Sequence, residues 1–254
     1  MKKLLLYLLC LCLLVPLLPR SSATEPKFVA LTFDDGPAGR ITQKLLTVLE
    51  ERGVPATFFL CGYRIASYPE LLKKMVQDGH EIGLHGNSHE YFTKLSAEAL
   101  REELRVNRDK IAQITGVTPK IVRPPGGLYN KDVLQILEEE ELSLVLWNLD
   151  PQDWDPAQRS CTTSRVANRV KNGDIVLLHD LSFQNVDAVL EMITVLEKEG
   201  FVFCTVSQLA ELSQSPMEAG KIHRSFSFSQ GEKCGGFFVS GSFPTCCHLW
   251  KSVI

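Results

Sequence analysis

The segment Phe28-Val29-Ala30-Leu31-Thr32-Phe33-Asp34-Asp35-Gly36-Pro37, followed by a stripe of Ile41, Leu45, Val48 and Leu49 and then by Gly53, decides how the rest of the chain is read. Its first six residues form a strand-like apolar run. The stripe keeps the three-to-four spacing of a helix with one buried face. Gly53 stands where a left-handed residue ends a helix before the next strand. This is one β/α unit, and the same rhythm repeats down the chain.

Strand-like runs recur at 56–60, 81–84, 120–122, 142–147, 175–178 and 201–205. Between them lie helical stripes at Leu71, Leu72, Met75 and Val76, at Leu100, Leu104, Ile111 and Ile114, at Val133, Leu134 and Leu137, and at Val186, Val189, Leu190 and Ile193. Gly79, Gly116, Gly173 and Gly200 close helical stretches as Gly53 does. About seven repeats of strand and helix predict an α/β fold with a parallel sheet. No Gly-x-Gly-x-x-Gly follows the first strand, so a doubly wound nucleotide-binding sheet is disfavoured. Roughly 190 residues suit a (β/α) barrel with fewer than the usual eight units.

The whole chain has 254 residues, 44% of them apolar and 22% charged, which excludes a disordered chain, a collagen-like repeat and a polytopic membrane protein. Residues 1–23 hold Lys2, Lys3 and Arg20 and no anion; the remainder has 24 cations against 30 anions, a net charge of −6. An acidic body lacks the clustered cations that a nucleic-acid backbone needs. Lys2 and Lys3 precede an apolar run from Leu4 to Leu18 that contains Pro16, and Ser21-Ser22-Ala23 offers a cleavage point. That pattern predicts a cleaved signal peptide over 1–23, with an uncleaved anchor as the alternative. The mature protein is expected to be secreted or cell-wall associated, without stable membrane insertion. The β/α domain is expected over 24–212, and 213–254, where the rhythm stops, as a loosely packed tail. Six cysteines follow the signal and none forms a Cys-x-x-Cys pair; Cys61 and Cys204, set in apolar runs, read as small core residues.

Polar residues gather after the strands. Asp34 and Asp35 follow the first, His85 and His89 the third, Arg123 the fourth, Asp150, Asp153 and Trp154 the fifth, His179 and Asp180 the sixth. Each group alone has an ordinary reading: an Asx turn, two surface histidines, a solvated arginine, a buried histidine. In a parallel β/α barrel, however, the carboxyl ends of all strands open onto one face, so five such groups converge on one site. One carboxylate with two imidazoles is a three-ligand set for catalytic zinc. A second carboxylate can take a proton from water, a further histidine can donate one to a leaving group, and an arginine can hold the base ionised. Metal-assisted hydrolysis of an amide or ester follows. A non-haem iron oxygenase uses the same ligand types, but the alternating helices and the distant Asp35 argue against it. A non-catalytic sugar-binding domain of the same fold would be expected to lose the base or the acid, and both are present.

Taken in order, Thr-Phe-Asp-Asp-Gly-Pro, His-x-x-x-His, Arg-x-Pro-x-Gly, Asp-Trp and Leu-x-His resemble the five motifs of the polysaccharide deacetylase family, the NodB-homology domain of carbohydrate esterase family 4. The resemblance covers about residues 28–212. It implies a distorted (β/α) barrel of about seven parallel strands and a divalent metal, usually zinc, held by Asp35, His85 and His89. It implies Asp34 as general base oriented by Arg123, and His179 as general acid supported by Asp153. Trp154 and Leu177 would wall the acetyl pocket, and the Gly126 N–H would face the oxyanion. Two positions depart from the family: Gly86 stands where Ser or Thr is common, and Gly126 where an aromatic residue is common. The expected substrate is an N-acetylated polysaccharide, with cell-wall peptidoglycan first, O-acetylated xylan as the alternative, and no protein partner inferable.

Overall fold

Because β1 (Lys27–Gly36) is apolar at Val29, Ala30, Leu31 and Phe33, it can be covered on both faces, and it becomes the strand around which the sheet is built. A computed structural model describes residues 25–228. The strands β2 (Thr57–Leu60), β3 (Glu81–Leu84), β4 (Ile121–Val122) and β5 (Ser143–Val145) follow β1 on one side in chain order. On its other side lies β6 (Asp174–His179), and β7 (Phe201–Phe203) pairs with the first residues of β1. These pairs are all parallel. The chain leaving β5 reaches across to β6, where Leu149 donates its N–H to the Ile175 carbonyl at 3.3 Å and accepts from the Leu177 N–H at 2.9 Å. The result is a curled half-barrel with helices packed outside, the distorted (β/α) barrel that the family resemblance implies.

The helical stripes become α1 (Arg40–Arg52), α3 (Pro69–Gln77), α4 (Ala97–Thr115), α5 (Lys131–Glu139) and α7 (Phe183–Lys198). Two short helices, α2 (Gly62–Ile65) and α6 (Thr162–Ala167), and the C-terminal α8 (Val206–Leu212) have no counterpart among those stripes. In α7 the buried face runs through Val186, Val189, Met192, Ile193 and Leu196, while Leu190 turns outward. The five helix-ending glycines all take left-handed φ values, from 61° to 91°. Cys61 and Cys204 are buried, as their apolar settings suggest. Among the described residues no helix is long and apolar enough to cross a membrane.

The expected boundary at residue 212 needs correction. β8 (Ile222–His223) adds to β5 in parallel, matching Leu144 to Ile222 and Val145 to His223. The Phe226 side chain is buried, and its N–H donates to the Gly173 carbonyl at 2.9 Å. The Phe228 ring stacks on Phe28 at 5.5 Å between centres. Residues 213–228 therefore cover a sheet edge that would otherwise expose unpaired backbone groups. A two-residue strand carries no periodicity, which is why the rhythm appears to end before it. The expected signal (1–23) and the remainder of the tail lie outside the described residues.

Candidate active site

Asp34 and Asp35 end β1 where its register with β2 shifts, and both carboxylates approach Nε2 of His85, at 3.8 Å and 3.2 Å. Asp34 is buried and accepts from Arg123 Nη1 at 2.7 Å. Arg123 has no exposed surface; it also donates to Thr32 Oγ1 (2.8 Å) and to the carbonyls of Val145 (3.1 Å) and Leu146 (2.9 Å). Its guanidinium carbon lies 4.1 Å from the centre of the Phe59 ring and 5.4 Å from that of Trp147. A fully buried guanidinium is costly unless its N–H groups find acceptors, and here four donors do. The orientation of Asp34 is set by that network.

Asp35, with φ 69°, turns its carboxylate toward two histidines. Its Oδ1 lies 3.2 Å from His85 Nε2 and 3.0 Å from His89 Nε2. The one group of three or more His, Cys, Asp or Glu residues whose ligand atoms all fall within 4.8 Å of one another, among the described residues, is Asp35, His85 and His89. Burial works against the Asp35 charge, but the hydrogen bonds to His85 and His89 hold its carboxyl well below the usual range. The Nδ1 of His85 lies 2.7 Å from the Arg123 carbonyl. A carbonyl only accepts, so Nδ1 carries a proton, and Nε2, which faces Asp35, is the nitrogen that would offer its lone pair to a cation. Two imidazoles and one carboxylate, with one ring fixed in the ligating tautomer, fit a divalent cation.

The two histidines belong to a loop, not to one turn of helix, and His89 has φ 68°. Three residues of α4 at helical spacing hold that loop. Glu103 Oε2 accepts the N–H groups of Asn87 and Ser88, each at 2.7 Å. Asn107 donates to the carbonyls of Leu60 (2.9 Å) and Gly86 (2.8 Å), and Lys110 to Asn87 Oδ1 (2.7 Å). Glu103 and Asn107 thus fix the loop around Gly86, with Asn87 contributing through Lys110. The apolar stripe of α4 leaves out this polar face, whose spacing of four and three was the available signal.

On β6, His179 Nδ1 lies 2.8 Å from Asp153 Oδ1, and the His179 N–H donates to Asp153 Oδ2 at 2.8 Å. Burial disfavours the charged ring, but the Asp153 hydrogen bond, with the charges of Asp153, Asp34 and Asp35, pushes its pKa up to about 9. Asn185, absent from the sequence reading, donates to both Asp153 Oδ2 and the His179 carbonyl at 2.9 Å. The adjacent Asp180 is buried against Gly36, where a Cβ would come within 2.9 Å of its oxygens, and it accepts from Thr42. That contact holds the loop after Asp35, and burial pushes the Asp180 carboxyl up to about 6.

The remaining sequence candidates divide. Leu177 is buried on β6 opposite Thr32, whereas Trp154 is 51% exposed on the rim. The Gly126 N–H makes no hydrogen bond among the described residues, so it is open to an acceptor. Asp150 accepts from the Gln152 N–H at 2.7 Å, in an Asx turn.

A family model described as polysaccharide deacetylase matches residues 21–145. Over 188 residues the chain is 37% identical to a peptidoglycan-N-acetylglucosamine deacetylase of Bacillus cereus, covering 72% of this chain and 88% of that one. The chain belongs to the polysaccharide deacetylase family. Another relative in the deacetylase family is the peptidoglycan-N-acetylmuramic acid deacetylase PdaC of Bacillus subtilis, 36% identical over 199 residues. That match covers 78% of this chain and 42% of PdaC, so the chain spans about two fifths of that relative's length. A solved family 4 acetyl xylan esterase from Clostridium thermocellum, in complex with a cobalt ion, superposes with a TM-score of 0.74 at 31% identity, covering 78% of this chain and 98% of that one. The chain and this esterase thus share a common fold.

Proposed function

We propose that this chain is a metal-dependent hydrolase that removes N-acetyl groups from amino-sugar residues of a polysaccharide, with cell-wall peptidoglycan as its substrate. The observation that carries the reading is a three-ligand cluster flanked by two buried dyads, Arg123–Asp34 and Asp153–His179. The names of the Bacillus relatives support the polymer. The pattern of residues 1–23, read as a signal peptide, supports action beyond the membrane.

Asp35, His85 and His89 would hold a divalent cation, zinc by the nature of these ligands, which would supply Lewis acidity and lower the pKa of a water. Asp34 takes the proton of the attacking water. Its Oδ1 is engaged by Arg123, and its Oδ2 lies 3.8 Å from His85 Nε2, on the side of the cluster. The Gly126 N–H is a donor for the developing oxyanion. With Nδ1 committed to Asp153, Nε2 of His179 delivers the proton to the departing nitrogen. An amine leaves poorly without that proton, so amides should depend on His179 more than activated aryl esters do.

The test is acetate release by the purified full chain from peptidoglycan, chitin oligomers and acetylated xylan, with and without zinc. Zinc-dependent release from peptidoglycan is the expected result. Release from xylan alone would make the protein an O-acetyl esterase, and no release from any polymer with metal bound would leave a carbohydrate-binding domain.

A further inference from the structure

We propose that Tyr91 is a specificity-determining residue of this cleft: seated against Gly126, its ring is the surface on which a pyranose ring of an N-acetylated glycan rests. The proposal deepens the hydrolase reading and concerns the same site.

Tyr91 follows the cluster residue His89 by two positions, and Gly126 follows Arg123 by three. β3 and β4 are neighbours, pairing Leu84 with Val122, so the loops at their carboxyl ends lie side by side on the rim. There the two residues meet. A Cβ added to Gly126 would lie 3.1 Å from Tyr91 Cε1 and 3.8 Å from Cδ1. Gly126 also has φ 63°, a left-handed conformation that side chains resist. Its neighbour Gly127 is alike: φ 68°, with a Cβ that would stand 2.8 Å from the Trp147 ring. A Cβ at 126 would press on the Tyr91 ring edge, which would have to give by a few tenths of an ångström. The absence of a side chain there therefore does not leave a gap; Tyr91 occupies it from the neighbouring loop.

The seat is built on both sides. Phe92, the next residue, is 1% exposed and anchors the segment in the core. Tyr91 is 39% exposed, held above the anchor at the rim. Its carbonyl accepts from the Lys94 N–H at 2.9 Å, and the Lys94 ammonium lies 4.8 Å from the ring centre. The ring edge meets Gly126, and the Tyr91 hydroxyl makes no hydrogen bond among the described residues. An exposed, braced aromatic ring with a polar tip suits a ligand that is apolar on one face and hydroxylated at its edge, which describes a pyranose. A small acetate ester has no such face and would use only the groups around the cluster.

Two probes separate these contributions: tetra-N-acetylchitotetraose and 4-nitrophenyl acetate, with the zinc-loaded full chain and matched metal content. Tyr91→Ala should lower the ratio of kcat/KM on the glycan to kcat/KM on the aryl acetate by about ten-fold, through KM. Tyr91→Phe should hold the ratio within about two-fold, since the ring face remains. In an Asp34→Asn background, calorimetry with the same tetrasaccharide should show Kd weakened about ten-fold by Tyr91→Ala. An unchanged ratio together with an unchanged Kd would overturn the assignment, as would no tetrasaccharide binding by the Asp34→Asn chain. A parent that binds the tetrasaccharide without hydrolysing any glycan would sink the hydrolase reading, and the Kd comparison would still decide the role of Tyr91.

Discussion

Arg123 ties together the two halves of the site: its main-chain carbonyl lies 2.7 Å from Nδ1 of His85, while its guanidinium holds Asp34 at 2.7 Å. One residue therefore sets both the tautomer of a metal-ligand candidate and the orientation of the base. Replacing its side chain leaves the carbonyl contact but strips Asp34 of its counter-charge.

Arg123→Leu should destabilise the fold by about 3–5 kcal/mol, because Asp34 is then a buried charge without a partner. Chemical denaturation of parent and variant measures this. The double variant Arg123→Leu with Asp34→Asn should recover part of the loss. A single variant as stable as the parent would mean that the pair contributes nothing to folding.

Adjacent aspartates should fail in different ways. Asp34→Asn should keep bound zinc but lose roughly 100-fold or more in rate, the usual scale for removing a general base. Asp35→Asn should release metal at chelator concentrations that leave the parent loaded. Metal content by elemental analysis, read beside acetate release, checks both; the reverse pattern would exchange the two roles.

Removing metal should abolish acetate release from the parent, and zinc or cobalt should restore it. Dialysis against a strong chelator, with elemental analysis of the dialysed protein, is the measurement. Full activity in protein shown to hold no metal would end the metal-dependent mechanism.

The pH dependence should carry the mark of Asp153. His179 is pushed up from 6.5 to about 9, so its protonated form contributes stability that is fully present below pH 6.5 and is lost as pH rises through about 9. The same protonated ring is the acid, so kcat/KM on an N-acetylated glycan should fall on the alkaline side at or below about pH 9, a bound cation pulling the limb downward. Asp153→Asn should move that limb toward lower pH by removing the hydrogen bond and the charge. A limb that stays put in the variant would assign it to another group.

His179→Ala should cost about two orders of magnitude or more on an N-acetylated glycan and much less on an aryl acetate, whose leaving group departs without a proton. Parallel rates at one pH, with metal content matched, check this. Equal losses on both substrates would make His179 a support for the fold or the metal site.

A chain ending at residue 212 should be less stable than one ending at 228, because it lacks β8 and the buried Phe226. The expected fall in melting temperature is more than about 6 °C, on the scale of losing a buried aromatic side chain from a domain of this size. Equal melting temperatures would mean that residues 213–228 only lie on the surface.

The sequence by itself determined the features that short-range pattern encodes. Strand and helix alternate at periods visible within a dozen residues, and helix-ending glycines mark the boundaries, so the α/β class followed from the first unit. The residue types at the strand ends were equally legible, since a parallel sheet sends all those ends to one face whatever the exact packing. Asp34, Asp35, His85, His89, Arg123, Asp153 and His179 could thus be named before any distance was known. Only the tertiary structure decided who holds them. Glu103, Asn107 and Lys110 brace the histidine loop from a helix, Asn185 fixes Asp153, Phe226 closes on Gly173 across the sheet edge, and Tyr91 fills the place beside Gly126. Each of these joins residues that no periodicity links. A hydrogen bond or a ring contact acts over a few ångströms in space, and residues such as Phe226 and Gly173 come that close only after the whole sheet has formed.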